Sequence, residues 1–144
     1  HKRQVSFPGG AYEPGDDNLE KTALRETWEE MGIQPDDLTI LGQTDNFLTN
    51  TYFMVTPFVA HFKHPYPFKI NPDEIDAVIE VPIRHLLHPE NFSMREWERD
   101  GILWNIHYYD YEDETIWGVT GFLLSNFLSI IFGVTRMDDP LKIR

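Results

Sequence analysis

Apolar and polar positions alternate along this chain with two different periods. Leu24, Trp28 and Met31 fall at i, i+4 and i+7, with Leu19 and Ala23 beside them. That spacing predicts an amphipathic helix. Asp17 with Glu20 three residues on reads as a capping box, and Gly32 as the stop. A last helix is predicted over 121–132, where Leu123, Leu124, Phe127, Leu128 and Ile131 form a wide apolar stripe. Strands are predicted at 38–42, 77–81 and 102–109, and most strongly at 52–63, which is rich in β-branched and aromatic residues and bent at Pro57. The charged stretch 91–100 and the strand after it suit a hairpin, followed by an acidic turn at 111–114. Pro82 opens a short helix. Residues 64–71 form a Pro-rich aromatic loop, expected to pack on the domain rather than act as a lid, and 138–144 reads as a polar tail.

Composition narrows the function classes. The chain has 144 residues, enough for one domain with a proper core, and shows no internal repeat. A formal charge of −12 argues against a general nucleic-acid or anionic-membrane surface. It does not argue against a phosphorylated small molecule, because bound metals supply local positive charge. Cysteine is absent, which excludes thiol chemistry and disulfides and fits a reducing, intracellular setting, the cytoplasm first. Residues 116–134 are the most apolar run but are interrupted by Gly118, Thr120, Gly121, Ser125, Asn126 and Ser129, so no membrane span is expected. The six histidines show no metal-ligand spacing, and there is no P-loop.

The informative chemistry lies on the first helix. Glu26, Glu29 and Glu30 are spaced i, i+3 and i+4, which sets three carboxylates on one face. Like charges at that spacing destabilise a helix by about 0.2–0.5 kcal/mol per pair, and a divalent cation reverses the sign. Hard oxygen donors favour Mg²⁺ or Mn²⁺ over zinc. A solvated acidic face is the ordinary reading of such a cluster on its own. Here Gly9 and Gly10 precede it, with a Pro14-Gly15 turn between, so backbone can approach a phosphate or metal closely. Arg25 adjoins the cluster and can pair with Asp16 or Asp17.

Gly10, Arg25, Glu26, Glu29, Glu30, Gly32 and Ile33 together resemble the box of the Nudix hydrolases, G-x5-E-x7-R-E-U-x-E-E-x-G-U, where U is a bulky apolar residue. Asp16 stands where the first Glu belongs, eight residues rather than seven separate it from Arg25, and Thr27 replaces an apolar U. The Asp, the longer spacing, the preceding Val5-Ser6-Phe7-Pro8-Gly9-Gly10 and the later Trp117-Gly118-Val119-Thr120 resemble the coenzyme A pyrophosphatase subfamily. That subfamily carries a longer signature upstream, with a Gly where this chain has Arg3, so the single domain over 1–144 is expected to lack an N-terminal strand.

The resemblance implies a Nudix α/β/α sandwich with a mixed β-sheet. It implies metal-dependent hydrolysis of coenzyme A or its thioesters to 3′,5′-ADP and phosphopantetheine. Other nucleoside diphosphate derivatives, such as ADP-ribose or NADH, would suit the same chemistry, and a binding module that kept the fold without the activity is the reading of a different class. Glu26, Glu29 and Glu30 would hold Mg²⁺ or Mn²⁺, with a backbone carbonyl of Gly9 or Gly10. Glu30 or Glu74 would take the proton of the attacking water, and Arg25 would orient the glutamates. Arg95 and Arg99 are candidates for a substrate phosphate, and Trp97 or Trp104 for an adenine. The partner is thus a small nucleoside diphosphate, with no nucleic acid and no membrane, and a homodimer is compatible with this reading.

Overall fold

The computed structural model of this protein describes residues 4–136. Arg3 and the tail expected at 138–144 lie outside the described residues. The chain divides into two compact units, one holding 7–79 and the other 4–6 with 80–136.

In the first unit, α1 (Leu19–Met31) begins at Asn18. Asn18 is extended and its side chain accepts the Lys21 N–H at 2.9 Å. The cap therefore falls one residue after the expected Asp17, because the amide oxygen of Asn18 reaches the third helical N–H. Gly32 ends the helix in the left-handed region at φ 71°. The predicted stripe is only partly a core face: Leu24 is buried, but Trp28 is 49% exposed. β1 (Thr39–Gln43) pairs antiparallel with β4 (Phe58–His61), and β2 (Phe47–Leu48) pairs with β3 (Met54–Val55). The long strand expected over 52–63 is split at Thr56-Pro57. Pro57 has no N–H for a ladder, while its carbonyl accepts the Thr44 N–H at 3.1 Å. The aromatic loop packs on itself, with the Phe62, Tyr66 and Phe68 rings in mutual contact. The Tyr66 hydroxyl donates to Asp37 at 2.6 Å and accepts the Gln34 N–H at 3.1 Å.

In the second unit, α2 (Ile83–Leu87) leads to a three-stranded antiparallel sheet of β5 (Phe92–Arg99), β6 (Ile102–Tyr111) and β7 (Glu114–Trp117). The segment 77–81, expected as a strand, is loop. Asp100 and Gly101 join β5 to β6 with positive φ angles of 54° and 75°, the two-residue hairpin geometry that matches strand twist. α3 (Gly118–Phe132) then covers one face of this sheet. Leu86, Tyr109, Ile116, Leu124 and Leu128 form the core there. A Cβ at Gly121 would run into the His107 carbonyl, so this glycine sets how closely helix and sheet approach. The buried face of α3 is less apolar than its stripe implies. Ser125 is fully buried, with its Oγ 2.6 Å from both His107 Nδ1 and the Tyr109 hydroxyl, whereas Ile131 is exposed. Helices and antiparallel strands together give the α/β class expected.

Candidate active site

Asp16 is the anchor of the box. Its buried carboxylate accepts four hydrogen bonds: from Arg25 Nε at 2.9 Å, Arg25 Nη2 at 3.0 Å, the Glu13 N–H at 3.0 Å and the Thr22 hydroxyl at 2.9 Å. The Arg25 bonds, helped by the Glu13 N–H, hold the Asp16 carboxyl well below the usual carboxylate range. The same contact raises Arg25 above its ordinary value. Asp is long enough here to meet Arg25 in a two-point fork, the geometry a guanidinium favours.

Arg25 also reaches the glutamates and the glycine loop. Nη1 donates to Glu26 Oε1 at 3.1 Å and Glu29 Oε2 at 3.2 Å, and Nη2 donates to the Ala11 carbonyl at 3.0 Å. One side chain thus ties Asp16, the loop after Gly10 and two of the three helix carboxylates together. Gly10 sits against one of those two carboxylates: a Cβ there would overlap the Glu26 carboxylate. The Gly9 N–H points at Glu30 Oε1 at 3.5 Å, the edge of hydrogen-bond range.

Glu30 is perturbed in the direction opposite to Asp16. Burial raises its pKa, the Gly9 N–H opposes that rise, and the charges of Glu26 and Glu74 raise it further. Glu74 therefore belongs to the same electrostatic neighbourhood as the box. Backbone puts it there. The Lys69 N–H donates to the Met31 carbonyl and the Asn71 N–H to the Glu30 carbonyl, both at 2.9 Å, which satisfies carbonyls left open at the end of α1. Gly32 makes this possible, since a Cβ at that position would lie 2.7 Å from Lys69. Asn71 then turns the chain, accepting the Asp73 N–H on its side chain at 3.1 Å and the Glu74 N–H on its carbonyl at 3.1 Å. A cavity of about 350 Å³ opens between these segments, lined by Trp28, Glu29, Asn71 and Glu74.

Glu26, Glu29, Glu30, Glu74, Arg25, Gly9 and Gly10 therefore gather in one unit. Arg95, Trp97 and Arg99 lie on β5 in the other. Trp28 and Asn71 were missed as cavity residues. The position of Trp28 on the apolar stripe concealed it, whereas the Asn71-Pro72-Asp73 turn preceding Glu74 was a usable signal for Asn71.

The donor set suits a hard divalent cation. It consists of the Glu26, Glu29 and Glu30 carboxylates of one helix, next to a glycine backbone with no side chain in the way. Among the described residues no three acidic or histidine side chains are gathered in ligating positions. Glu26 and Glu29 turn instead to Arg25.

Residues 1–101 match the family model described as NUDIX domain. The chain is 32% identical over 124 residues to a protein of Yersinia pestis (strain Pestoides F) named "Uncharacterized Nudix hydrolase NudL". It has the same identity to the protein of that name from Yersinia pseudotuberculosis serotype O:1b (strain IP 31758). Each alignment takes in 86% of this chain and 62% of the relative. Among the described residues no helix is long and apolar enough to cross a membrane.

Proposed function

This chain belongs to the Nudix family, and from that premise we propose that it hydrolyses the diphosphate bond of a nucleoside diphosphate derivative, with coenzyme A or its thioesters as substrate. The observation that carries the reading is geometric: the Arg25 fork on Asp16 also ties Glu26, Glu29 and the loop after Gly10 into one arrangement. A binding module has no need of three like charges on one helix face. Nudix hydrolases generally use divalent metal ions, and Glu26, Glu29 and Glu30 are the residues that would hold Mg²⁺ or Mn²⁺, with a carbonyl of Gly9 or Gly10. The ion would neutralise charge building on the phosphates.

The residues of the chain supply the rest. A water oxygen attacks one phosphorus of the anhydride, the bond from that phosphorus to the bridging oxygen breaks, and the second phosphate leaves with the electron pair. A carboxylate takes the proton of the water. Glu30 and Glu74 are the two candidates, one at the end of α1 and one on the cavity wall. Arg25 acts by position: its fork on Asp16 fixes the guanidinium from which Glu26 and Glu29 take their orientation.

The choice of coenzyme A is supported by resemblance: Ser6-Phe7-Pro8-Gly9-Gly10, the lengthened box with Asp16, and Trp117-Gly118-Val119-Thr120. Gly118 has φ 67° at the start of α3, which gives that glycine a backbone reason. The chain spans 62% of the length of the curated relatives it matches, and we extend the single-domain reading to 1–144 on the same footing. The test is hydrolysis of coenzyme A, ADP-ribose and NADH with Mg²⁺ or Mn²⁺ and with EDTA, the products separated by chromatography. Metal-dependent release of 3′,5′-ADP from coenzyme A is the expected result. Preference for another substrate would discard the coenzyme A assignment, and no turnover at all would favour a binding module.

A further inference from the structure

The sheet of the second unit has one face under α3 and one face turned away from it. The registers Arg95↔Ile106, Trp97↔Trp104, Arg99↔Ile102 and Tyr108↔Trp117 put these residues on the same side. Tyr109 and Ile116, their neighbours in sequence, are core residues on the other side. The outward side is aromatic and unusually open: Trp97 is 56% exposed, Trp117 42% and Trp104 39%.

It also carries two guanidinium groups, in a chain whose formal charge is −12. The Arg95 guanidinium lies 4.5 Å from the centre of the Tyr108 ring, and Tyr108 is stacked on Trp117 at an interplanar angle of 11°. Among the described residues no carboxylate pairs with Arg95. Arg99 has only a loose, exposed contact, 3.8 Å from Asp100. The acids of β5, Glu96 and Glu98, fall on the opposite side by strand alternation, and the one acid of β6 on the outward side, Asp110, accepts the Thr115 hydroxyl at 2.9 Å. Flat aromatic surface alternating with guanidinium groups is chemistry that takes a π-face and a phosphate together. The strongly acidic whole disfavours a polyanion, which leaves a single nucleotide as the ligand that fits.

We propose that this outward face binds a mononucleotide, its base stacked on the Trp97–Trp104 pair and its phosphate against Arg95 and Arg99. The proposal rests on the function above only for the choice of a nucleotide. It is tested by titration calorimetry on the full chain in EDTA, where no hydrolysis occurs, with 3′,5′-ADP, AMP, adenosine, inorganic phosphate and a short oligo(dA). The two nucleotides should bind more tightly than adenosine, phosphate or the oligonucleotide. Trp97→Ala and Arg95→Gln should each weaken nucleotide binding by roughly five- to a hundredfold. Trp97→Phe, which keeps a π-face, should retain most of it, and Glu98→Gln on the other side should change nothing. Glu29→Gln should bind nucleotide normally even where turnover is lost, which separates failure of this inference from failure of the hydrolase reading. No nucleotide binding by the unaltered chain would overturn the proposal. So would normal binding by a folded Trp97→Ala variant, preference for oligo(dA), or a change in sedimentation on Trp97→Ala with nucleotide affinity unmoved, which would make the face a contact between copies.

Discussion

Asp16 and Arg25 show how one substitution in a motif is absorbed. The Asp side chain is shorter than Glu, yet it receives two Arg25 bonds, the Thr22 hydroxyl and the Glu13 N–H. Its folded pKa is depressed below the ordinary 3.8. A depressed carboxylate contributes stability that is fully present above that ordinary value and is lost as pH falls below it. Asp16→Asn should therefore lower stability at neutral pH and flatten the acid limb of the unfolding curve, read by circular dichroism between pH 2 and 7 (about the carboxylate range). On the proposed function, Glu29→Gln should reduce turnover by about a hundredfold or more with the fold retained, since the ion it would help to hold would supply several kcal/mol of charge stabilisation. If Glu30 is the base, Glu74→Gln should cost less than Glu30→Gln in single-turnover assays, and the reverse order would move the base to the loop. That Arg25 pairs with Asp16 or Asp17 was legible in sequence, and the structure takes Asp16. The raised Glu30 was not, because its first cause is burial, and the charge of Glu74 from a separate segment adds to that of Glu26 on its own helix.

Secondary structure was most legible where a strong local signal marked the boundary. Gly32 ends α1 as expected, and the hairpin expected from 91–100 and the strand after it turns at Asp100-Gly101, because left-handed backbone selects glycine and its few substitutes. The interior of α1 was read less well: its apolar stripe predicted a core face, but Trp28 opens onto the cavity instead. Periodicity finds a helix face without saying what that face meets. In α3 the same limit hid Ser125, buried because it bridges His107 and Tyr109 rather than because it is apolar. Gly32→Ala should cost about 1–2 kcal/mol from left-handed strain alone, and more from contact with Lys69, measured by urea unfolding. Leu128→Ala, at a fully buried position in the core of the second unit, should cost about 2–5 kcal/mol in the same assay.

Taken whole, the protein is acidic, with its carboxylate crowd in one unit and its exposed tryptophans mostly in the other. Millimolar Mg²⁺ or Mn²⁺ should raise the melting temperature and EDTA should reverse it. A ligand at a hundred times its Kd contributes about 2.7 kcal/mol. Glu29→Gln should blunt that rise, while Arg95→Gln should leave it intact. The α/β class and the family were open to sequence reading because the box is local and dense in chemistry. The stitching of 69–71 to the end of α1 was not, since it runs through backbone amides that carry no sequence signature. That stitching has a consequence for how this protein can diverge. Lys69 and Asn71 meet the helix through main-chain atoms, so the lettering of residue 69 is free to drift while the number of residues from there to Glu74 is not. A single-residue insertion between Ile70 and Glu74 should be harsher than most substitutions in the same stretch, because it shifts the phase of the segment against a helix end that stays fixed.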